Sequence, residues 1–372
     1  MGTITTRAAV CRGPQQWWDV VDLRLESPRA HEVRIKFMAA GLCRSDEHVR
    51  TGLTPVRYPI VGGHEGAGIV ESVGPGVTRV APGDDVVCSS LPVCGRCHYC
   101  STGHQNLCDD GPDTRTGHLP DGSFRFHDGT EDVGALCGLG TFSRYAVVPE
   151  TSCIRLGEDI PFEVAALIGC GVPTGWGSSV YCAGVSAGDT VVIFGAGGVG
   201  SNAVQGARQA GARHVVVVDP VAFKREKALT FGATHVFETA GNARTAVLRM
   251  TQGRGADHAI VVVGVLDEQV LNQATSIVGK LGQVTITSGG SRDHLLGVNT
   301  GALVGYQQCL QGVRFGGCNP LRDIPRLLDL YRGGELMVDE LITTRYGLDD
   351  INQGYRDLLE GKNIRGVVIH EH

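Results

Sequence analysis

The hydrophobic pattern changes character along the chain. Up to about residue 155, apolar residues come in short runs cut by Gly, Pro and Asp. "EVRIKFMAAG" (32–41), "GAGIVESVG" (66–74), "DDVVCSS" (84–90) and "SRYAVVPE" (143–150) each predict a strand. Runs of this length bounded by turn formers suit a pleated chain and are short for a helix. From 171 to about 310 the rhythm alternates. "DTVVIFG" (189–195), "HVVVVD" (214–219), "ADHAIVVVG" (256–264) and "QVTITSG" (283–289) predict buried strands. Between them, "GVGSNAVQGARQAGA" (198–212), "KREKALTFGA" (224–233) and "DEQVLNQATSIVGKLG" (267–282) predict helices. Such alternation predicts a parallel sheet covered by helices on both faces. The tail is mixed, with helices over 323–334 and 348–361 and a strand over 365–371.

One strand–helix junction carries a candidate ligand site. "VVIFGAGGVGSNAV" (191–204) sets Gly195, Gly197, Gly198 and Gly200 between a predicted strand and a predicted helix. Gly195 allows a tight turn, Gly197 lets backbone approach a pyrophosphate, and Gly200 allows close helix–strand packing at a helix N-terminus that attracts the anion. A glycine motif alone is weak evidence, but here Asp219 ends the next strand, 19 residues beyond Gly200. A carboxylate there accepts hydrogen bonds from a ribose diol and repels a 2′-phosphate, which favours NAD over NADP.

The second chemical signal is cysteine. The chain has 13, an odd number. Its start, "MGTITTRAAVCRG", shows no secretory apolar run, so a reducing, cytoplasmic location is expected and disulfides are not. Cys94, Cys97, Cys100 and Cys108 follow a C-x2-C-x2-C-x7-C spacing. Four thiolates with no open position describe a structural zinc site; an iron–sulfur cluster would accept the same ligands. A closed site staples a loop without doing chemistry, so a second site is needed. "GLCRSDEH" offers Cys43, "GGHEGAG" offers His64 and "IGCGVPTGWG" offers Cys170. Together they make a three-ligand zinc site whose fourth position is free for water or substrate. Each alone reads as a packed thiol or an ordinary histidine; the flanking glycines and neighbouring polar residues shift the balance. The seven other cysteines read as small hydrophobes or inert thiols.

Composition narrows the partners. With 372 residues, 42% hydrophobic and 19% charged, the chain suits two globular domains. The net charge of −6 gives no attraction for nucleic acid or an anionic membrane, and no run reaches the roughly 20 apolar residues of a membrane span. A zinc-bearing nucleic-acid binder is disfavoured further, because the four-cysteine loop holds a single Arg. A non-catalytic nucleotide binder would be expected to lack one of Cys43, His64 or Cys170.

The segments "GLCRSDEH", "GGHEGAG", "GCGVPTGWG", "GAGGVG" and "NIRGVV", with the four-cysteine loop, resemble the zinc-dependent medium-chain alcohol dehydrogenases over essentially the whole chain. "DGSFRFH", "EDVGALCGLGTFSRYAVVPE", "VDPVAFKREKALTFGATH" and "NQGYRDLLEGKNIRGV" resemble their nicotinoprotein branch, which keeps NAD bound and in assays passes electrons to a nitroso acceptor. The resemblance implies an α/β protein: a mostly β GroES-like catalytic domain over 1–171 and 315–372, around a Rossmann NAD-binding domain over 172–314. It implies two zinc ions per chain and NAD, a small alcohol or aldehyde substrate, a possible external electron acceptor, and a homodimer or homotetramer. Asp46 would orient His64, and Glu65 would lie beside the metal. Arg44 and Arg365 would pair with the NAD pyrophosphate, Lys224 would join Asp219 at the adenosine ribose, and Thr174 would touch the nicotinamide end. Ser45 would take the alcohol proton and pass it through the nicotinamide ribose to His48, which would face solvent. A thiol-adduct formaldehyde dehydrogenase with exchangeable NAD is the alternative within the enzymes. Ser90 stands where many relatives carry a bulky aromatic, which should widen the substrate channel. Segment 109–135, with His118 and His127 as solvated loop residues, is expected to border the entrance and to close over the cofactor. Leu139 and Phe142 suit either a pocket wall or the core, and Trp17 and Trp18 packing or surface positions.

Overall fold

The computed structural model describes residues 2–109, 116–289 and 295–372. They form two compact units, one built from the chain up to Cys170 together with Asn319–His372, the other from Gly171–Cys318. The second border falls at Cys318 rather than 314 for a local reason. Gly316 turns at φ +63° against the carbonyls of Pro173 and Thr174, and the Cys318 thiol donates to Pro173 O at 3.3 Å.

The first unit is mostly β. Strands Ile4–Cys11, Asp19–Leu25, Phe126–Asp128, Glu131–Ala135 and Ile60–Val61 close into a barrel. Beside it runs a seven-stranded sheet in the order Cys153–Arg155, Asp85–Cys88, Gly66–Val73, Glu32–Gly41, Arg365–Ile369, Ile342–Tyr346, with Tyr145–Pro149 also pairing Glu32–Gly41. In strand Glu32–Gly41, Val33, Ile35 and Phe37 on one face are fully buried in the core, while the charged Glu32, Arg34 and Lys36 alternate with them on the other. The chain's last strand, Arg365–Ile369, pairs antiparallel with it, which returns the C-terminal segment to this unit.

The second unit holds one six-stranded sheet: His235–Phe237, His214–Val218, Thr190–Phe194, Ala256–Val261, Val278–Ile286, Cys309–Gly312. All pairings are parallel. Numbered along the chain, the spatial order is 3-2-1-4-5-6, that of a doubly wound dinucleotide fold.

Two differences from the pattern reading have physical causes. The helix Glu268–Ile277 stops before 278–282, which opens the next strand instead. Gly279 and Gly282 each cost a helix about 1 kcal/mol, and a Cβ at 279 would strike the Arg254 carbonyl. The helix Ala240–Met250 gave no signal, because its buried face is only Ala240, Ala243 and Val247.

Candidate metal and dinucleotide sites

The register of the large sheet assembles the first site. Ala40 pairs with Gly66 and Gly41 with Val367. Cys43, Glu65 and Arg365 lie one or two residues beyond these positions, so three strand ends deliver them together. Cys43 caps helix Arg44–Thr51, where the helix dipole favours a thiolate. His64 follows Gly62 and Gly63. A Cβ at 62 would overlap the Trp18 ring, and one at 63, where φ is +85°, would overlap Thr141 and Phe142. Cys170 comes from the end of helix Phe162–Ile168.

Ligand atoms of Cys43, His64, Glu65 and Cys170 lie within 4.8 Å of one another. His64 Nδ1 is 3.0 Å from Asp46 Oδ1, which also accepts from Gly63 N at 3.0 Å. A proton held on Nδ1 leaves Nε2 as the metal donor. The electrostatics point the same way. The hydrogen bond shared with Cys170 holds the Cys43 thiol well below its usual range and pushes Cys170 up. His64 is pushed up: burial opposes its charge, but Asp46 and the two thiols outweigh it. Burial raises Glu65 to about 7 against the attraction of Arg365, whose guanidinium forms a buried ion pair with it. Two thiols and an imidazole that share protons at short range are a donor set for a divalent cation, which displaces those protons on binding. Two sulfurs and one nitrogen, with the Glu65 carboxylate as a further oxygen donor in the cluster, fit zinc.

The second cluster, in the same unit, is Cys94, Cys97, Cys100 and Cys108. Cys94 and Cys100 sulfurs are 3.9 Å apart and those of Cys97 and Cys108 are 4.0 Å apart. A regular tetrahedron with Zn–S of 2.3 Å has S–S edges of about 3.8 Å. The N–H groups of Arg96 and Cys97 point at Cys94 Sγ from 3.4 and 3.3 Å, which stabilises thiolate charge. Burial pushes Cys100 up to about 12, while backbone donors, that of Asp109 first, bring Cys97 down to about 7.

In the second unit, Gly195 turns at φ +100° and a Cβ at Gly200 would strike the Gly195 carbonyl, whereas Gly197 faces open space. The loop leads into helix Gly198–Gln209. Asp219 Oδ2 accepts from Ala196 N at 2.8 Å and Oδ1 from Val221 N at 2.9 Å. The carboxylate thus ties the glycine turn to the end of strand His214–Val218. Lys224 is half-buried on the following helix, and Thr174 lies on helix Gly171–Gly177.

The remaining candidates are dispersed. Ser45 is exposed, with its Oγ 3.7 Å from Cys43 Sγ, whereas His48, expected to face solvent, is buried, because it lies on the inward side of the last turn of the same helix with Val49 and Arg50. Arg44 Nε and Arg365 Nε are buried with no acceptor among the described residues. Ser90, Leu139, Phe142 and Trp18 are buried, and Trp17 is exposed between Arg50 and Arg356. The four-cysteine set and Cys43 and Cys170 apart, Cys11, Cys88, Cys153 and Cys318 are buried, Cys137 and Cys182 half-buried, and Cys309 exposed. His127 is a correction: it is no solvated loop residue but lies buried on a barrel strand, its ring nitrogens 3.1 Å from Glu26 and 2.9 Å from Asp132. A strand of three residues, Phe126–Asp128, is too short to leave an alternating pattern in the sequence. Of segment 109–135, residues 110–115 lie outside the described residues; Arg125, buried in an ion pair with Glu32 and 2.7 Å from Asp121, pins the part that follows. Two contacts escaped the sequence, the Glu65–Arg365 pair and the approach of Tyr355 to Cys43, because the partners are hundreds of residues apart.

A doubly wound sheet with a glycine turn and a tethered acidic residue, and in the other unit a cysteine–histidine–cysteine centre beside a zinc staple, define a zinc-dependent dehydrogenase that uses a dinucleotide. Residues 29–158 match the family model described as alcohol dehydrogenase GroES-like domain, and 198–332 that described as zinc-binding dehydrogenase. The chain is 51% identical over 366 residues to the NDMA-dependent alcohol dehydrogenase of Amycolatopsis methanolica, covering 98% of this chain and 99% of the other. It is 36% identical over 377 residues to S-(hydroxymethyl)glutathione dehydrogenase of Paracoccus denitrificans, with 98% and 100% covered. Benzyl alcohol dehydrogenase from Acinetobacter calcoaceticus superposes with a TM-score of 0.91 at 29% identity, covering 99% and 100%. The chain belongs to the zinc-dependent medium-chain alcohol dehydrogenase family, on the side of its nicotinoprotein-like members.

Proposed function

We propose that this enzyme oxidises a small alcohol to its aldehyde or ketone, reversibly, and that it keeps its NAD bound between turnovers. The observation that carries the reaction is the Cys43, His64 and Cys170 cluster with Asp46 behind the histidine. Zinc held there supplies a Lewis acid that lowers the pKa of a coordinated alcohol, and NAD supplies the hydride acceptor. The chain's own residues do the rest. Asp46 holds the imidazole, Ser45 stands beside Cys43 to receive the alcohol proton, and His48 lies one helical turn further along to pass it outward. Arg44 and Arg365, each with a buried Nε lacking an acceptor, suit a diphosphate. Asp219 and Lys224 suit the adenosine ribose, and Thr174 the nicotinamide end.

Retention of NAD is supported by the identity to the NDMA-dependent enzyme. A bound, reduced cofactor then needs an external acceptor or an aldehyde to reoxidise it. Purified, dialysed protein is denatured and its supernatant assayed for NAD. About one NAD per chain, with turnover that requires an added nitroso acceptor, is expected. An empty supernatant with steady oxidation on added NAD would point to exchangeable cofactor, and then to a hydroxymethyl-thiol adduct as the substrate to try.

We further propose a homo-oligomer in the cytoplasm. Strand Cys309–Gly312 is an outer edge of the parallel sheet, and Val304 and Leu295 in the same unit are 79% and 89% exposed. An unpaired edge and exposed apolar side chains suit a second copy. Among the described residues no helix is long and apolar enough to cross a membrane.

A further inference from the structure

Asp46 holds an unsolved polar account. Its side chain is fully buried. Oδ1 serves His64 and Gly63, both at 3.0 Å, but Oδ2 has no hydrogen bond among the described residues. A buried carboxylate oxygen without a donor is costly. The phenol of Tyr355, also fully buried, is at hand. Its hydroxyl lies 3.5 Å from Cys43 O, the carbonyl that also accepts Asp46 N at 3.2 Å. At 3.5 Å that contact is too long to satisfy the hydroxyl.

The ring cannot drift. Its centroid is 5.8 Å from that of Trp18 and 6.2 Å from that of Phe142. Asn352, on the same helix Ile351–Leu359, accepts from Trp18 N at 3.0 Å and donates to Trp18 O at 2.8 Å. Trp18 and Phe142 in turn cover the Gly62–Gly63 backbone that presents His64.

We propose that Tyr355 is a positioning residue for the zinc ligand His64: its hydroxyl is the donor to Asp46 Oδ2 and fixes the carboxylate that holds the imidazole. This rests on the zinc reading of the Cys43, His64 and Cys170 site. Removing a partner that orients a metal ligand costs about 10–100-fold in metal affinity or activity. One bond further out, Tyr355→Phe should release zinc from this site about tenfold faster.

The test uses holoenzyme challenged with excess chelator, with zinc loss followed in time, and cobalt-substituted enzyme for its visible spectrum. Tyr355→Phe is expected to accelerate one of two release phases, leave the other unchanged, shift the cobalt bands, and lower kcat more than it alters KM. Ile351→Val trims the same buried core without touching the hydroxyl, and should move none of these. Unchanged release and spectrum in Tyr355→Phe overturn the proposal, as do equal changes in Ile351→Val. A parent protein with one zinc per chain fails the zinc reading itself, a distinguishable result.

Discussion

Single residues here carry charges whose roles separate cleanly. Asp219 was legible in the sequence as a strand-ending acid, but the sequence could not show that both its oxygens accept backbone N–H groups. Its charge stays available to repel a 2′-phosphate. On cofactor-stripped protein, Asp219→Ala should reduce the preference for NAD over NADP by about 10–100-fold, roughly 1.4–2.7 kcal/mol; the ratio of the two dissociation constants reads this directly, and a parent that binds both equally refutes it. His370 gives a pH prediction. It is buried, its Nε2 is 2.9 Å from Thr141 O, and burial brings it from its ordinary 6.5 down to about 4. Protons therefore favour the unfolded chain over this window. Stability is full above 6.5 and falls as pH drops towards 4, by about 3 kcal/mol from this group. His370→Gln should flatten that part of the melting-temperature profile; an unchanged slope assigns the acid lability elsewhere.

At the scale of elements, the legible parts were those whose pattern is local. The glycine turn, four of the six strands of the parallel sheet and the four-cysteine loop each announce themselves within about fifteen residues, whereas the short edge strands His235–Phe237 and Cys309–Gly312 left no pattern. Strand Val278–Ile286 was half hidden, because "VGKLG" continues the apolar rhythm of the preceding helix while its glycines break it. The ends of strands Glu32–Gly41, Gly66–Val73 and Arg365–Ile369 meet only through sheet register, so Glu65 facing Arg365 was beyond any local pattern. The loop from Cys94 to Cys108 is expected to owe its order to a bound ion. It has little regular structure beyond helix His98–Ser101 and one further turn. Cys97→Ala should remove that closure, with a loss of about 3 kcal/mol, the scale of closing a fifteen-residue loop. Limited proteolysis should then cut within the loop; resistance equal to that of the parent would show that the fold holds it without metal.

For the whole molecule, one unit carries both cysteine clusters and the other carries the glycine turn. The central claim is that the two clusters bind two zinc ions with different work: one staples, the other reacts. Native mass spectrometry of the holoenzyme and of Cys43→Ala, alongside turnover, tests it most directly. Two zinc ions per chain in the parent and one in an intact, inactive Cys43→Ala protein are predicted. One zinc in the parent, or two in a Cys43→Ala protein that still oxidises alcohol, would contradict it.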